Sequence, residues 1–103
     1  MQIRCYDSGT RAHIIVDDYD YTSEWFFAAA LEFEKALTLS AKGPPIFGLD
    51  ETILEYNSPA GDVIFAMDNY FAELTFASRT ARDAAAAILA QTDGFTLMVT
   101  PSP

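Results

Sequence analysis

The fold of this 103-residue chain is decided by residues 51–76, which have the sequence ETILEYNSPAGDVIFAMDNYFAELTF. Apolar and polar side chains alternate along three runs with the period of two that a half-buried β-strand shows. Turn-forming residues at 57–61 and 68–69 separate the runs. The segment therefore predicts three strands joined by short turns, an antiparallel meander. The side chains expected on one face of each run are Thr52, Leu54 and Tyr56, then Val63, Phe65 and Met67, then Tyr70, Ala72, Leu74 and Phe76.

Upstream of the meander, the sequence predicts a hairpin followed by a helix. Residues 2–6 and 11–17 are rich in β-branched and aromatic side chains, and they flank the turn composition of residues 7–10. A helix is expected from a cap at Thr22 or Ser23 to about Lys42, just before Gly43-Pro44-Pro45. The face of this helix expected to enter the core carries Phe26, Ala29, Ala30, Phe33, Ala36, Leu37 and Ser40.

Downstream, the sequence predicts a second helix and a last strand. The helix begins at Ser78 or Thr80 and ends at Gly94, and residues 95–99 form the strand. The order β-β-α-β-β-β-α-β indicates an α+β fold in one domain of residues 1–99, with a mainly antiparallel sheet of about six strands and two helices on one face. We expect residues 100–103 to be a frayed tail. The core stripe of the second helix comprises Ala81, Ala84, Ala85, Ile88 and Leu89.

The composition is that of a folded domain, since 50% of the residues are hydrophobic and 20% are charged. The single cysteine, Cys5, excludes an intramolecular disulfide and any multi-cysteine metal site. The longest uninterrupted apolar run, residues 25–31, is far shorter than a membrane span, and the first residues lack the apolar segment of a signal peptide. We therefore expect a cytoplasmic protein without a membrane contact.

Fifteen acidic against six basic residues give a net charge of −9, which argues against direct binding of nucleic acid. The acidic residues are interleaved with aromatic ones in Asp17-Asp18-Tyr19-Asp20-Tyr21, and Glu24-Trp25 follows. Carboxylates mixed with Tyr and Trp suit the binding of a basic protein, because charge steers the encounter and rigid rings supply contact area. The alternative is that the charge serves only solubility. A second acidic set lies on the meander and its turns: Asp50, Glu51, Glu55, Asp62, Asp68 and Glu73.

The first helix has more apolar surface than one sheet face can cover. Phe27 and Leu31 lie four residues apart on its charged side, and Trp25 lies at the margin of the core stripe. Exposed apolar side chains of this kind favour a contact with a second copy or with a larger assembly.

Residues that carry catalysis are scarce in the sequence. His13 is the only histidine, so a two-histidine metal site is excluded, and its strand pattern favours a structural role. Residues 18–22 are similar to the start of a calcium loop, but Ser23 and Ala29 stand where that loop needs glycine and glutamate. There is neither a phosphate-binding glycine motif nor a Gly-x-Ser-x-Gly elbow. We therefore expect no enzyme and assign no catalytic, cofactor-binding or metal-binding residue.

The leading hypothesis from the sequence is a small acidic binding module that occludes a basic, nucleic-acid-handling partner, such as an immunity protein that neutralises a toxin nuclease. One alternative is a dimerisation or assembly module that uses the apolar first helix. Another is a small-molecule-binding domain with a pocket between helices and sheet, in which His13 would pair with a carboxylate. The residues predicted to bind the partner are Asp17, Asp18, Tyr19, Asp20, Tyr21, Glu24, Trp25, Phe27, Leu31, Asp62, Asp68 and Glu73.

Overall fold

A computed structural model of the chain describes residues 1–98, so Val99 and the predicted tail lie outside the described residues. In chain order the elements are β1 (Gln2–Ser8), β2 (Arg11–Val16), α1 (Ser23–Leu37), β3 (Ser40–Ala41), β4 (Ile46–Phe47), β5 (Thr52–Asn57), β6 (Val63–Met67), β7 (Ala72–Phe76), α2 (Arg79–Ala90) and β8 (Thr96–Leu97). The predicted α+β fold with a mainly antiparallel sheet is confirmed. The sheet has eight strands within the described residues instead of about six, because β3 and β4 add two short edge pairings to β5.

The strands lie in the order β3-β5-β6-β7-β2-β1-β8, and β4 also pairs with β5. Among residues 1–98, every strand pairing is antiparallel except that of β1 with β8. The register aligns Leu54 with Phe65, Phe65 with Leu74, and Leu74 with Ile14. Because side chains alternate across a strand, this row of apolar residues faces one side of the sheet, where both helices pack.

Aromatic rings fill the core between α1 and the sheet. Phe26 stacks on Phe65 with ring centroids 4.5 Å apart, and Phe33 meets Phe65 edge to face at 5.1 Å. Of the predicted α1 stripe, Ala29, Ala30 and Leu37 are buried together with the two phenylalanines. The α2 helix approaches closely through buried Ala81, Ala85, Ala86 and Leu89. The predicted core positions Ala84 and Ile88 are exposed on α2, so the helix is rotated slightly from its predicted orientation.

The predicted end of α1 near Lys42 is wrong, since the helix closes at Leu37. Thr38 takes the left-handed conformation with φ 55°, and the N–H groups of Thr38 and Leu39 both donate to the Glu34 carbonyl. This closure turns the chain back toward the sheet. Leu39 is consequently buried, whereas Ser40 pairs with β5 as an exposed edge residue instead of entering the core.

A buried arginine fastens α2 to the first hairpin. The Arg82 guanidinium donates to the Tyr6 carbonyl at 2.9 Å, to Asp7 Oδ1 at 3.0 Å and to Asp83 Oδ1 at 2.7 Å. Burial alone would lower the pKa of Arg82, but its hydrogen bonds to Asp83 and Asp7 raise it. The guanidinium therefore remains charged, and it ties the turn-proximal end of β1 to the start of α2.

Candidate functional site

The sheet topology gathers acidic segments at one end of the sheet. Because neighbouring strands are antiparallel, β2 and β6 end where β5 and β7 begin. The loop 17–22, the loop 48–51 and the turn 68–71 therefore lie at the same end, and α1 begins there. We call the carboxylates of these segments the acidic end, which comprises Asp17, Asp18, Asp20, Glu24, Asp50, Glu51 and Asp68.

The basic side chains lie mostly at the opposite end of the molecule. Arg11, Arg79 and Arg82 are near the β1–β2 turn, and Lys35 and Lys42 lie at or beyond the last turn of α1. The exception is Arg4, whose Nε donates to both carboxylate oxygens of Asp17 at 2.9 and 3.0 Å. The acidic end therefore combines seven carboxylates with one lysine or arginine side chain, and that side chain is already in an ion pair.

Exposed apolar side chains project from the acidic end on the β4–β5 hairpin. The pairing of Phe47 with Thr52 leaves residues 48–51 as the loop, and the Gly48 N–H donates to the Glu51 carbonyl at 2.8 Å. At the tip of this loop Leu49 is 99% exposed, and neighbouring Phe47 is 66% exposed. A cavity of about 300 Å³ is lined by this hairpin and by residues 21–23. The hairpin therefore presents two large apolar side chains in front of a concave, acidic surface.

Two of the predicted aromatic residues support the acidic loop from inside. Tyr19 and Trp25 are half-buried and meet edge to face at 6.0 Å, and Trp25 meets Phe65 of the core at 6.4 Å. Burial and the nearby Asp68 carboxylate raise the pKa of Tyr19. Tyr21 is more exposed, and its hydroxyl donates to the Asp50 carbonyl at 3.0 Å. Tyr21 thus joins the acidic loop to the hairpin, while Tyr19 and Trp25 anchor the loop to the core.

The carboxylates of the acidic end fall into two groups. Asp18 accepts from the Gln2 N–H at 2.8 Å, and Asp68 accepts from two N–H groups of its own turn at 2.7 and 2.9 Å. These carboxylates fix the backbone, as Asp17 does through Arg4. Asp20, Glu24, Asp50 and Glu51 are all exposed, and none of them forms an ion pair with another residue in the part of the chain that the structure describes. These four remain available to an external positive charge.

The outer side of α1 continues the apolar surface of the hairpin. Phe27 is half-buried, and its ring lies 6.5 Å from that of Phe47 and 5.3 Å from that of Phe26. Leu31, one helical turn farther, is 66% exposed. The sequence placed Phe27 and Leu31 together on the charged side of the helix; the structure covers the first with the hairpin and leaves the second in solvent.

Two of the predicted partner-binding residues lie away from this surface. Asp62 immediately precedes β6 at the opposite end of the sheet, and its carboxylate is 3.0 Å from Lys42 Nζ. Glu73 lies within β7 on the sheet face that the helices leave uncovered, and its carboxylate accepts a hydrogen bond from the Tyr6 hydroxyl. The structure therefore separates these two carboxylates from the acidic end.

His13 lies near a carboxylate, but its ring is covered by another side chain. Its Nδ1 lies 2.9 Å from Thr75 Oγ1 and 3.6 Å from Glu73 Oε2. The Tyr6 ring stacks on the imidazole at 4.6 Å, and the residue is only 5% exposed. Its Nε2 has no hydrogen-bond partner among residues 1–98. This geometry favours packing of the ring over contact with a substrate.

The predicted partner-binding set lacks three exposed apolar or aromatic residues of the site. Phe47, Leu49 and Tyr70 are all exposed at the acidic end, and none of the three belongs to that set. The sequence does contain a signal for Phe47 and Leu49. Both lie in a segment of turn-forming composition, between Pro44-Pro45 and the acidic pair Asp50-Glu51. Large apolar residues within such turn-forming composition are expected at the surface.

Comparisons with known proteins identify no relative of this chain. No family model matches the sequence, and neither a curated protein nor a solved structure matches it. Within residues 1–98, no helix is long and apolar enough to cross a membrane. The same residues contain no group of three or more His, Cys, Asp or Glu side chains placed to hold a metal ion.

Proposed function

We propose that this protein binds a basic protein partner through the acidic end, and that it acts by covering a surface of that partner. The observation that carries the proposal is the hairpin tip, where Leu49 is 99% exposed and Phe47 66% exposed beside Asp50 and Glu51. Protein interfaces combine an apolar centre, which provides most of the affinity, with a polar rim. The hairpin tip and the carboxylates around it have this composition.

The distribution of charge supports a basic partner. The exposed carboxylates of Asp50 and Glu51 adjoin the apolar tip, and those of Asp20 and Glu24 lie on the acidic loop and the first turn of α1 at the same end of the sheet. The arginine of the acidic end is already paired with Asp17. Summed negative charge at one end of a small protein accelerates encounter with a positively charged surface and orients it. A basic surface with an apolar recess is thus the complement of this site.

The narrower form of the proposal is an immunity or inhibitor protein that neutralises a toxin such as a nuclease. A nuclease presents positive charge where it holds phosphates, and a bound acidic end would exclude nucleic acid from that surface. The proposed activity is binding without catalysis. Its proposed compartment is the cytoplasm, where the free thiol of Cys5 remains reduced.

The test begins with a partner captured by the intact protein and measures association and dissociation rates at two salt concentrations. Leu49→Ser should accelerate dissociation by about 10- to 100-fold, because burial of a leucine contributes about 1.5–3 kcal/mol. Ile88→Ser is the matched control, since Ile88 is an exposed apolar residue on α2 and outside the acidic end. The control should leave both rates unchanged.

The electrostatic component needs its own variants. The combination of Asp20→Asn, Asp50→Asn and Glu51→Gln should mainly slow association and weaken its dependence on salt. Asp62→Asn is the matched control at the opposite end of the sheet. Unchanged kinetics for both Leu49→Ser and the triple variant, with the fold intact, would refute the proposed surface.

A second candidate function rests on the strip formed by Phe47, Phe27 and Leu31. Leu31 is exposed and continues the apolar surface of the hairpin along α1, as a contact with a second copy would require. A dimer that depends on protein concentration, ignores salt and is lost in Leu31→Ser would favour assembly. Sedimentation at two salt concentrations distinguishes this outcome from salt-sensitive binding of a basic protein.

A further inference from the structure

A second concave feature lies between the C-terminal end of α1 and the N-terminal half of α2, far from the acidic end. Its volume is about 170 Å³. The end of α1, the start of β6, the end of β7 and α2 all contribute to its lining. The buried side chains that form its floor are Leu37, Val63, Phe76, Ala81 and Ala85.

The cavity exists because α2 presents alanine where a larger side chain would fill the space. Ala81, Ala84 and Ala85 occupy positions i, i+3 and i+4 of the helix and therefore share one face. Ala84 is exposed at the rim, and Ile88, one turn farther, is about half exposed. The cavity is consequently open to solvent at its rim while its floor belongs to the hydrophobic core.

The chemistry of the lining selects an apolar ligand. Among the described residues that line the cavity, none is charged, and Thr38 and Ser58 are the polar ones. The Ser58 hydroxyl is already engaged with the Gly61 carbonyl at 2.6 Å. An apolar cavity of about 150 Å³ in a protein core is large enough to hold benzene. The lining thus offers contact area to an apolar group and no partner for a charged one.

We propose that this cavity binds a small apolar molecule, of a size that inserts a single aromatic ring between the two helices. The ring would contact Val63 and Phe76 on its sheet side and Ala81 and Ala85 on its helix side. The Thr38 hydroxyl at the mouth would be the polar group nearest to a substituent on the ring. This site is independent of the proposed partner-binding surface, since the acidic end contributes no residue to it.

Benzene is the probe that tests the site, with carbon–proton spectra of the Leu37 and Val63 methyl groups as the readout. We expect saturable shifts of these methyl signals with a dissociation constant on the order of 1 mM. Ala85→Leu adds three carbons inside the cavity and should weaken binding at least tenfold. The matched control is Ala87→Leu, the same change at an exposed position of α2 outside the cavity lining, which should bind as the unmodified protein does.

A second variant keeps the test decisive if Ala85→Leu does not fold. Ala84→Leu obstructs the cavity from its exposed rim without entering the core, and it should also weaken benzene binding. The absence of saturable methyl shifts in the unmodified protein would overturn the proposal. Shifts that persist equally in Ala84→Leu and Ala85→Leu would overturn it as well, because benzene would then bind elsewhere. Leu49→Ser should bind benzene normally, which separates this test from that of the acidic end.

Discussion

Replacement of Arg82 by methionine tests which interaction holds α2 to the first hairpin. The Arg82 side chain is 6% exposed, whereas that of Arg79, on the same helix, is 69% exposed. Both guanidinium groups lie 3.0 Å from a carboxylate oxygen of Asp7. Arg82→Met and Arg79→Met therefore each remove one ion pair with Asp7. Only Arg82→Met also removes hydrogen bonds to the Tyr6 and His13 carbonyls, so the difference between the two variants measures chiefly those buried contacts.

The magnitude follows from the partners that Arg82→Met leaves behind. The Tyr6 and His13 carbonyls lose a charged donor at 2.9 and 3.4 Å, and each lost hydrogen bond of this kind costs about 1–2 kcal/mol. Asp7 and Asp83 are exposed enough for water to replace the guanidinium, so their ion pairs add little. We expect a loss of about 3 kcal/mol for Arg82→Met and less than about 0.5 kcal/mol for Arg79→Met.

The assay is thermal and urea unfolding followed by circular dichroism. A loss of 3 kcal/mol in a domain of this size lowers Tm by about 12–24 °C, whereas Arg79→Met should leave Tm within about 4 °C of the unmodified value. If the two variants lose the same stability within 0.5 kcal/mol, the buried hydrogen bonds to the hairpin contribute nothing and the reasoning fails. A large loss in Arg79→Met would instead locate the stabilising interaction in the exposed Asp7 pair.

Two further predictions concern a tyrosine and a strained threonine. Burial and the hydrogen bond to Glu73 raise the pKa of Tyr6 from 10 to about 12, so its contribution is complete below pH 10 and is lost as the pH rises through 12. In Tyr6→Phe, the unfolding free energy should therefore fall by up to about 2 kcal/mol less between pH 10 and 12 than in the unmodified protein. Urea unfolding at several pH values measures this free energy, and an equal decline in both proteins would contradict the prediction. Thr38→Gly should raise Tm by about 4 °C, because glycine adopts the φ of 55° without strain; a lower Tm would show that the threonine side chain itself stabilises the end of α1.

The strands of the meander were predictable because the alternation of apolar and polar residues in the sequence matches the alternation of buried and exposed side chains in the sheet. Thr52, Leu54 and Tyr56 are buried as their spacing predicts, and so are the predicted inward-facing residues within β6 and β7. The prediction is wrong for Tyr70, which lies in the turn before β7 and is 80% exposed. The end of α1 was not predictable, because Thr38 adopts a backbone conformation that a β-branched residue rarely takes. Local propensity indicates continuation of the helix there, whereas the pairing of Ser40 and Ala41 with β5 requires the chain to turn.

The charge of the candidate site was predictable from the sequence, but the segments that the fold brings together there were not. The loop 17–22 and the first turn of α1 are acidic in the sequence and acidic at the surface. Whether this loop lies near Asp50 and Glu51 depends on which strands end at the same end of the sheet. That follows from the strand order, which no local sequence pattern encodes. The same order moves Asp62 to the far end and turns Glu73 toward Tyr6. Nor does a local pattern indicate that the Tyr19 and Trp25 rings point inward to anchor the loop.

The concentration of charge at one end is the strongest argument that the acidity has a purpose beyond solubility. Solubility depends on net charge and is served equally well by carboxylates dispersed over the surface. Placing the exposed carboxylates of Asp50 and Glu51 beside a fully exposed Leu49 costs the isolated protein stability, through repulsion between like charges and through apolar contact with water. The proposed basic partner with an apolar recess would remove both costs at once, because it would neutralise the carboxylates while covering the leucine. If the carboxylates and the exposed leucine serve one interface, Leu49→Ser and the carboxylate variants should weaken binding of the same partner. If the two features are unrelated, only one kind of variant should do so.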